Sequence, residues 1–188
     1  MLNLPKRILI IAGLLLLLNL ACGSSGLEEI KPPSGQILVT DDASDRLKEN
    51  FYQALQEATG RNEAQLRITN EEITSLFTKE LVDTGRVPLR NPQVWFTSGR
   101  IFITGGIRPV GPVEFDSLIV ATALVENGRL VVDVEEARMG TFTFPEAILA
   151  SITQTVNEAL VDVTLEIDVT RLEILEGEMF VVGTRPGL

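Results

Sequence analysis

The chain has no histidine and a single cysteine, and these scarcities remove several kinds of chemistry. Without histidine it cannot build a Ser-His-Asp or Cys-His nucleophile system, nor a metal site with imidazole ligands. It also lacks the glycine patterns GxGxxG and GxxxxGK(S/T) that cradle phosphates. Asp41, Asp42 and Asp45 do not match a calcium loop, and helix capping is the better interpretation. We therefore expect a protein that is not an enzyme and binds neither a cofactor nor a metal.

Basic residues are also few, at 16 against 26 acidic residues, which gives a formal net charge of −10. An acidic surface repels phosphate backbones, so we expect no nucleic-acid partner. Two acidic pairs, Glu71-Glu72 and Glu135-Glu136, are the nearest approach to acid-base machinery. The first suits the positive end of a helix, and neighbours on a strand point to opposite faces. Both pairs are therefore predicted to be structural.

The N-terminus has the pattern of a secretory signal. Lys6 and Arg7 precede an apolar run, and Ala21 provides the small residue before Cys22. The span 8–21 is 14 residues long, shorter than the roughly 20 residues of a membrane-crossing helix. We expect residues 1–21 to be a signal peptide and Cys22 to be the lipid attachment site of a membrane-anchored extracytoplasmic lipoprotein.

Two alternatives stay open for this segment. Asn19 stands where lipoprotein signals usually carry an aliphatic residue. The segment can instead be an uncleaved N-terminal anchor, or the signal of a plainly secreted protein. After it, residues 22–36 are rich in Gly, Ser and Pro, which predicts a flexible tether. Residues 37–188 are long enough for one folded domain.

Three amphipathic helices are predicted in this domain. Thr40 can cap the first, and Thr69 with Glu72 forms a capping box at the start of the second, which is predicted to end at Gly85. Pro145 suits the first position of the third. The apolar residues expected to face the core are Leu47, Phe51, Leu55, Ile73, Leu76, Phe77, Ile148, Ile152 and Val156.

Alternating strands broken by turn glycines predict three hairpins, centred on Ser98-Gly99, Asn127-Gly128 and Glu176-Gly177. We expect them to stack in one antiparallel meander, with a short strand at 65–69 as an added edge. Gly105-Gly106 is predicted to be a loop between hairpins. The fold class is therefore α+β, a curved antiparallel sheet of hairpins packed on or wrapped around amphipathic helices.

The segment 118–124 is apolar on both alternating faces, so both faces must be covered. Helices can cover one face. The other can be covered by the sheet curling on its own core, by a partner, or by a bound lipid. Trp95 and Phe102 are core residues by default. If a ligand is present, the candidate residues lining an apolar groove are Trp95, Phe102, Ile119, Ile152 and Val156.

The order of these caps and turns resembles a known family. Thr69-Asn70-Glu71-Glu72-Ile73, Pro92-Gln93-Val94, Asn127-Gly128-Arg129, Gly140 and Phe144-Pro145 are similar to YpmS-type extracytoplasmic domains and related bacterial lipoproteins. The resemblance implies a location and a fold, and it carries no catalytic residue. A helix-wrapped antiparallel sheet also resembles the tubular lipid-binding (TULIP) superfamily, which implies an apolar groove.

These observations lead to one expected function and one alternative. We expect a lipid-anchored, non-catalytic domain that binds a lipid-like apolar ligand or an envelope protein. The alternative is a structural or regulatory interaction module of the cell envelope, without a small-molecule ligand.

Overall fold

A computed structural model describes residues 31–58, 63–85, 89–108, 112–163 and 167–184. The predicted signal peptide, 1–21, and the predicted lipid attachment site, Cys22, lie outside the described residues. In the described part of the chain the helices are α1 (Asp41–Glu57), α2 (Asn70–Phe77) and α3 (Glu146–Val163). The strands are β1 (Glu63–Thr69), β2 (Leu89–Thr97), β3 (Arg100–Ile107), β4 (Phe115–Glu126), β5 (Arg129–Met139), β6 (Phe142–Thr143), β7 (Asp168–Ile174) and β8 (Glu178–Thr184). No described helix combines the length and the apolar character needed to cross a bilayer.

The fold is α+β, as predicted, but the strands form two antiparallel sheets that do not close into a barrel. One sheet has five strands in the order β2-β3-β4-β5-β6, and the other has three in the order β1-β8-β7. The expected single meander is therefore wrong for the third hairpin. That hairpin pairs with β1, which runs antiparallel to β8 from Glu63 opposite Thr184 to Thr69 opposite Glu178. Local sequence patterns do not report such a distant pairing.

The predicted helix caps are present. The Thr40 hydroxyl accepts a hydrogen bond from the Ala43 N–H at 3.1 Å. At α2, the Thr69 hydroxyl accepts from the Glu72 N–H at 3.3 Å, and the Glu72 carboxylate accepts from the Thr69 N–H at 2.9 Å. After α2 the chain continues as a π-helical segment, Thr78–Val82. The helical region ends near Gly85, whose φ is +73°. Each cap satisfies backbone groups that a helix end leaves unpaired.

The turn at Asn127-Gly128 is also confirmed. Asn127 has a φ of +51° and Gly128 a φ of +77°, as a two-residue turn of the favoured type requires. By contrast, the loop predicted at Gly105-Gly106 is wrong, because both glycines lie inside β3. A Cβ atom on Gly105 would lie 2.7 Å from the Leu89 Cγ and 2.8 Å from the Arg90 carbonyl oxygen. Glycine is needed here because β2 approaches closely at a bulge.

Both faces of β4 are covered, as the apolar pattern predicts. Ala121 packs with Val132 and Val134 against α3, whereas Leu118 and Val120 are buried on the opposite face. The α3 stripe differs from the prediction at one position. Leu149, Ile152 and Val156 pack on this cluster, whereas Ile148 is exposed. Ile148 lies one residue off the stripe, in the first turn of the helix.

Side chains on α2 and α3 hydrogen-bond to the outward backbone groups of two strands in the five-stranded sheet. On β2, the Thr74 hydroxyl bonds both the N–H and the carbonyl of Val94, and Asn70 accepts from the Phe96 N–H. On β5, the Asn157 amide bonds both groups of Val132 at 2.8 and 2.7 Å. The Thr153 hydroxyl accepts from the Val134 N–H at 3.0 Å. Strand edges that would otherwise invite pairing are thus occupied.

The end of the predicted tether lies against the five-stranded sheet. Ile37 donates its N–H to the Gln93 side chain, and a Cβ atom on Gly35 would lie 3.5 Å from the Trp95 ring. Pro32 and Pro33 line a groove with Thr104. The end of the predicted tether, from Pro32 onward, is therefore part of the folded domain.

Candidate functional site

An apolar cavity of about 390 Å³ lies between α1 and the three-stranded sheet. This volume lies within the range of small-molecule sites, roughly 300–1,000 Å³. The lining residues are aliphatic or aromatic apart from Gly183 and Lys48, and they come from five places. These are α1 (Leu47, Lys48, Phe51, Ala54, Leu55), β1 (Ala64, Leu66, Ile68), the α2 helix (Ile73, Leu76), the β7–β8 hairpin with the residue before it (Ile167, Val169, Met179, Val181, Gly183) and β5 (Leu130).

The floor of the cavity follows from strand alternation. Leu66 and Ile68 on β1 point to the same face as Val181 and Met179, their partners on β8. Glu63, Gln65 and Arg67 take the alternate positions and are exposed. On β1, one face is therefore apolar and the other polar.

The roof is the apolar side of α1. Leu47 and Ala54 are buried, and Phe51 and Leu55 are half-buried beside them. Small residues bring α1 close to the sheet at one end, where Ala54, Ala58 and Ala64 form a tight cluster. Many lining side chains remain partly exposed, so the cavity is open to solvent on one side.

A charged rim connects α1 to the helical segment after α2. Lys48 at the cavity mouth pairs with Glu80. Further along, Lys79 lies 3.1 Å from Asp41 and 3.4 Å from Asp45. The hydrogen bond from Lys79 to Asp41 raises the pKa of Lys79 above its ordinary value of 10.5, and the negative charges of Asp41 and Asp45 act in the same direction. These exposed pairs hold the two helices in register more than they stabilise the fold.

The residues predicted to line an apolar groove lie elsewhere and on two different faces. Ile119, Ile152 and Val156 belong to the cluster between the five-stranded sheet and α3. Trp95 pairs with Phe102 on neighbouring strands, on the opposite face of that sheet. None of the five lines the cavity under α1.

The acidic pairs have structural contacts, as predicted. Glu72 closes the capping box, and Glu71 lies 3.6 Å from Arg46. Glu135 receives a hydrogen bond from Arg100 at 2.9 Å. Among the residues that the structure describes, no group of three or more acidic or cysteine side chains is placed to hold a metal ion.

A second, polar groove lies where the leading segment meets the five-stranded sheet. Its charged residues include Arg90, Glu114 and Arg138. Glu114 accepts a hydrogen bond from Arg108 at 2.7 Å and lies 4.0 Å from Arg90. Because Glu114 is engaged with Arg90 and Arg108, we assign no ligand to this groove.

An exposed aromatic corner lies beside the turn at Gly140. Phe142 is 55% exposed and packs edge-to-face on Phe144, with ring centroids 5.2 Å apart. Phe115, also exposed, reaches the same turn, since a Cβ atom on Gly140 would lie 3.3 Å from its ring. Exposed aromatic groups of this kind are typical of contact surfaces.

Comparison with known protein families, with curated proteins and with solved structures finds no match. The site must therefore be interpreted from its own geometry.

Sequence patterns did not predict this cavity, because the longest apolar strand, β4, belongs to the other sheet. The useful signal lies in small residues at inward strand positions. Ala64 and Gly183 are directly paired across β1 and β8. Ala54 packs against Ala64, and a Cβ atom on Gly183 would lie 2.5 Å from the Ile167 Cγ2, so this end of the cavity admits only small residues.

Proposed function

We propose that this chain is a non-catalytic, membrane-tethered extracytoplasmic lipoprotein whose domain holds a lipid-like apolar ligand beneath α1. The cavity carries this proposal, because its lining is apolar apart from the Lys48 side chain at the mouth. The signal-type N-terminus with Cys22 supports the membrane location. The resemblances to YpmS-type domains and to the TULIP superfamily agree with such a role.

The chemistry of the cavity favours a single hydrocarbon chain. Each methylene group transferred from water into such a site gains about 0.8 kcal/mol. A cavity lined by Leu66, Ile68 and Val181 offers water almost no hydrogen-bond partners, so a hydrocarbon chain displaces that water readily. A polar head group would remain at the open side, near Lys48.

A cavity-filling variant tests the proposal. Val181→Trp directs a large ring into the cavity from the centre of the sheet. The probe is a fluorescent single-chain fatty acid, titrated into the full chain in detergent. The detergent concentration is kept below the level at which micelles take up the probe. We expect saturable binding to the wild type and at least a tenfold weaker affinity in Val181→Trp. The ring excludes several methylene groups of the probe at about 0.8 kcal/mol each, and about 1.4 kcal/mol is a tenfold change in affinity.

Ile148→Trp is the matched control. It adds the same ring on the exposed start of α3, outside the cavity. It should bind the probe as the wild type does. Equal binding by wild type, Val181→Trp and Ile148→Trp would place the probe on the general surface and reject the ligand site.

The aromatic corner favours the alternative function, an interaction module of the envelope that needs no ligand. Phe115 and Phe142 are exposed beside the turn at Gly140, as anchors for a protein partner would be. Cross-linking in intact membranes distinguishes the two functions. The alternative predicts a defined cross-linked product that disappears in Phe142→Ser and persists in Val181→Trp.

A further inference from the structure

The outer edge of β1 differs from the closed edges of the larger sheet. Thr74 and Asn157 occupy the outer backbone groups of β2 and β5. β7 starts against the second hairpin, where the Val169 N–H donates to the Gly128 carbonyl at 2.8 Å. Across the described parts of the chain, no hydrogen bond reaches the outward backbone groups of Gln65 on β1.

The hairpin register identifies which groups face outward. The Leu175 N–H donates to the Glu178 carbonyl, so the even-numbered residues of β8 bond to β7 and the odd-numbered ones to β1. On β1, the partners of the odd-numbered residues are Ala64, Leu66 and Ile68. The N–H and C=O groups of Glu63, Gln65 and Arg67 therefore point away from the sheet. All three residues are exposed.

We propose that this edge pairs with the same edge of a second copy of the chain, antiparallel, with Gln65 opposite Gln65. The charges are self-complementary in this register, because Glu63 of each copy then lies opposite Arg67 of the other. Opposite charges directly across two strands are stabilising, and like charges are destabilising. Arg67 also pairs with Glu178 of its own chain, so its guanidinium lies between two carboxylates in the dimer. All three opposed pairs use outward backbone groups and so exchange two hydrogen bonds each.

The pairing joins the two small sheets into one six-stranded sheet around a two-fold axis. Each copy contributes the same surface, as a closed dimer requires. Both apolar cavities then lie on the same side of the joined sheet. One strand pair is smaller than a standard interface, so we expect a dimer that dissociates on dilution. The proposal stands independently of the ligand site.

Disulfide trapping tests the register. In the paired arrangement the two Gln65 Cα atoms lie about 5.5 Å apart, within the range of a disulfide. We expect Gln65→Cys, in the full chain in detergent, to form a covalent dimer under mild oxidation. Ser151→Cys, exposed on α3, and the wild type, which carries only Cys22, should form no covalent dimer.

Charge reversal in the Gln65→Cys background tests the pairing itself. Glu63→Lys and Arg67→Glu each place like charges opposite one another at two symmetric positions, and each should weaken dimerisation roughly tenfold. The double variant restores opposite charges and should recover trapping. Melting temperatures check that each variant is folded.

Trapping of Gln65→Cys no faster than Ser151→Cys would overturn the proposal. So would a double variant that dimerises as poorly as folded single variants. Dimerisation that does not depend on the charges at Glu63 and Arg67 would reject this register.

Discussion

At the scale of single residues, the structure depends on small groups at points of close approach. Gly105 allows β3 to pass beside the bulge of β2, and Gly128 allows the tight turn before β5. Asn157 satisfies an edge that would otherwise be unpaired. Each of these residues fits a position where the backbone allows few alternatives. Replacing Gly105 or Asn157 is therefore expected to lower the stability of the domain.

Gly105→Ala should destabilise the domain by roughly 1–3 kcal/mol, because the new methyl would overlap the Leu89 side chain and the Arg90 backbone. Gly106→Ala is the matched control. The three atoms nearest to its Cβ would all belong to the Glu114 side chain, which can move. Urea denaturation should show the larger loss for Gly105→Ala; equal losses would contradict the close approach.

Asn157→Ala should destabilise the domain by roughly 1–3 kcal/mol, since it leaves the N–H and C=O of Val132 without their partner. Gln154→Ala, on the exposed side of the same helix, removes only a hydrogen bond to Glu158 and should stay within about 0.5 kcal/mol of wild type. Hydrogen exchange at the Val132 amide provides a local measurement. Unchanged protection in Asn157→Ala would show that the amide does not close this edge.

At the scale of elements, sequence patterns predicted local structure better than its assembly. Caps at Thr40 and Thr69 and the turn at Asn127-Gly128 are local, and all were found. Pairing of β1 with β8 joins segments more than a hundred residues apart, and no local pattern encodes it. The candidate lining residues were chosen from three strands of the larger sheet and from α3, whereas the cavity lies against the smaller sheet, whose membership depends on that distant pairing.

The contact between α1 and the segment after α2 should titrate at high pH. Asp41 and Asp45 raise the folded-state pKa of Lys79 above 10.5. Its small stabilising contribution is therefore present below pH 10.5 and is lost as the pH rises through the folded pKa. We expect Asp41→Asn to lower the Lys79 pKa in an NMR titration, while Asp42→Asn leaves it closer to wild type. A Lys79 pKa insensitive to Asp41 would reject the contact.

At the scale of the whole molecule, the proposed lipid anchor at Cys22 and the proposed lipid site under α1 both require the domain to lie close to a membrane. Pro32 lines a groove on the five-stranded sheet and follows Cys22 by about ten residues, so their Cα atoms lie at most ~35 Å apart. If Cys22 carries the proposed lipid, the domain lies close enough to the bilayer to meet membrane lipids directly.

Cys22→Ala tests the anchor. If Cys22 is the lipid attachment site, the variant should lose the mass of the acyl chains and retain its signal peptide, because processing requires the thiol. Intact-mass measurement of membrane-extracted protein checks this. A wild-type chain that begins at Met1 without acylation would contradict the lipoprotein proposal and favour the uncleaved anchor.

The most direct test of the central claim is native mass spectrometry of the protein extracted from its own membranes. We predict that the wild type and Ile148→Trp each carry one apolar molecule in addition to any covalent lipid. Val181→Trp, with the cavity filled, should carry none while keeping a wild-type fold. Wild-type protein free of any such molecule, or Val181→Trp carrying it at the same stoichiometry, would contradict the account.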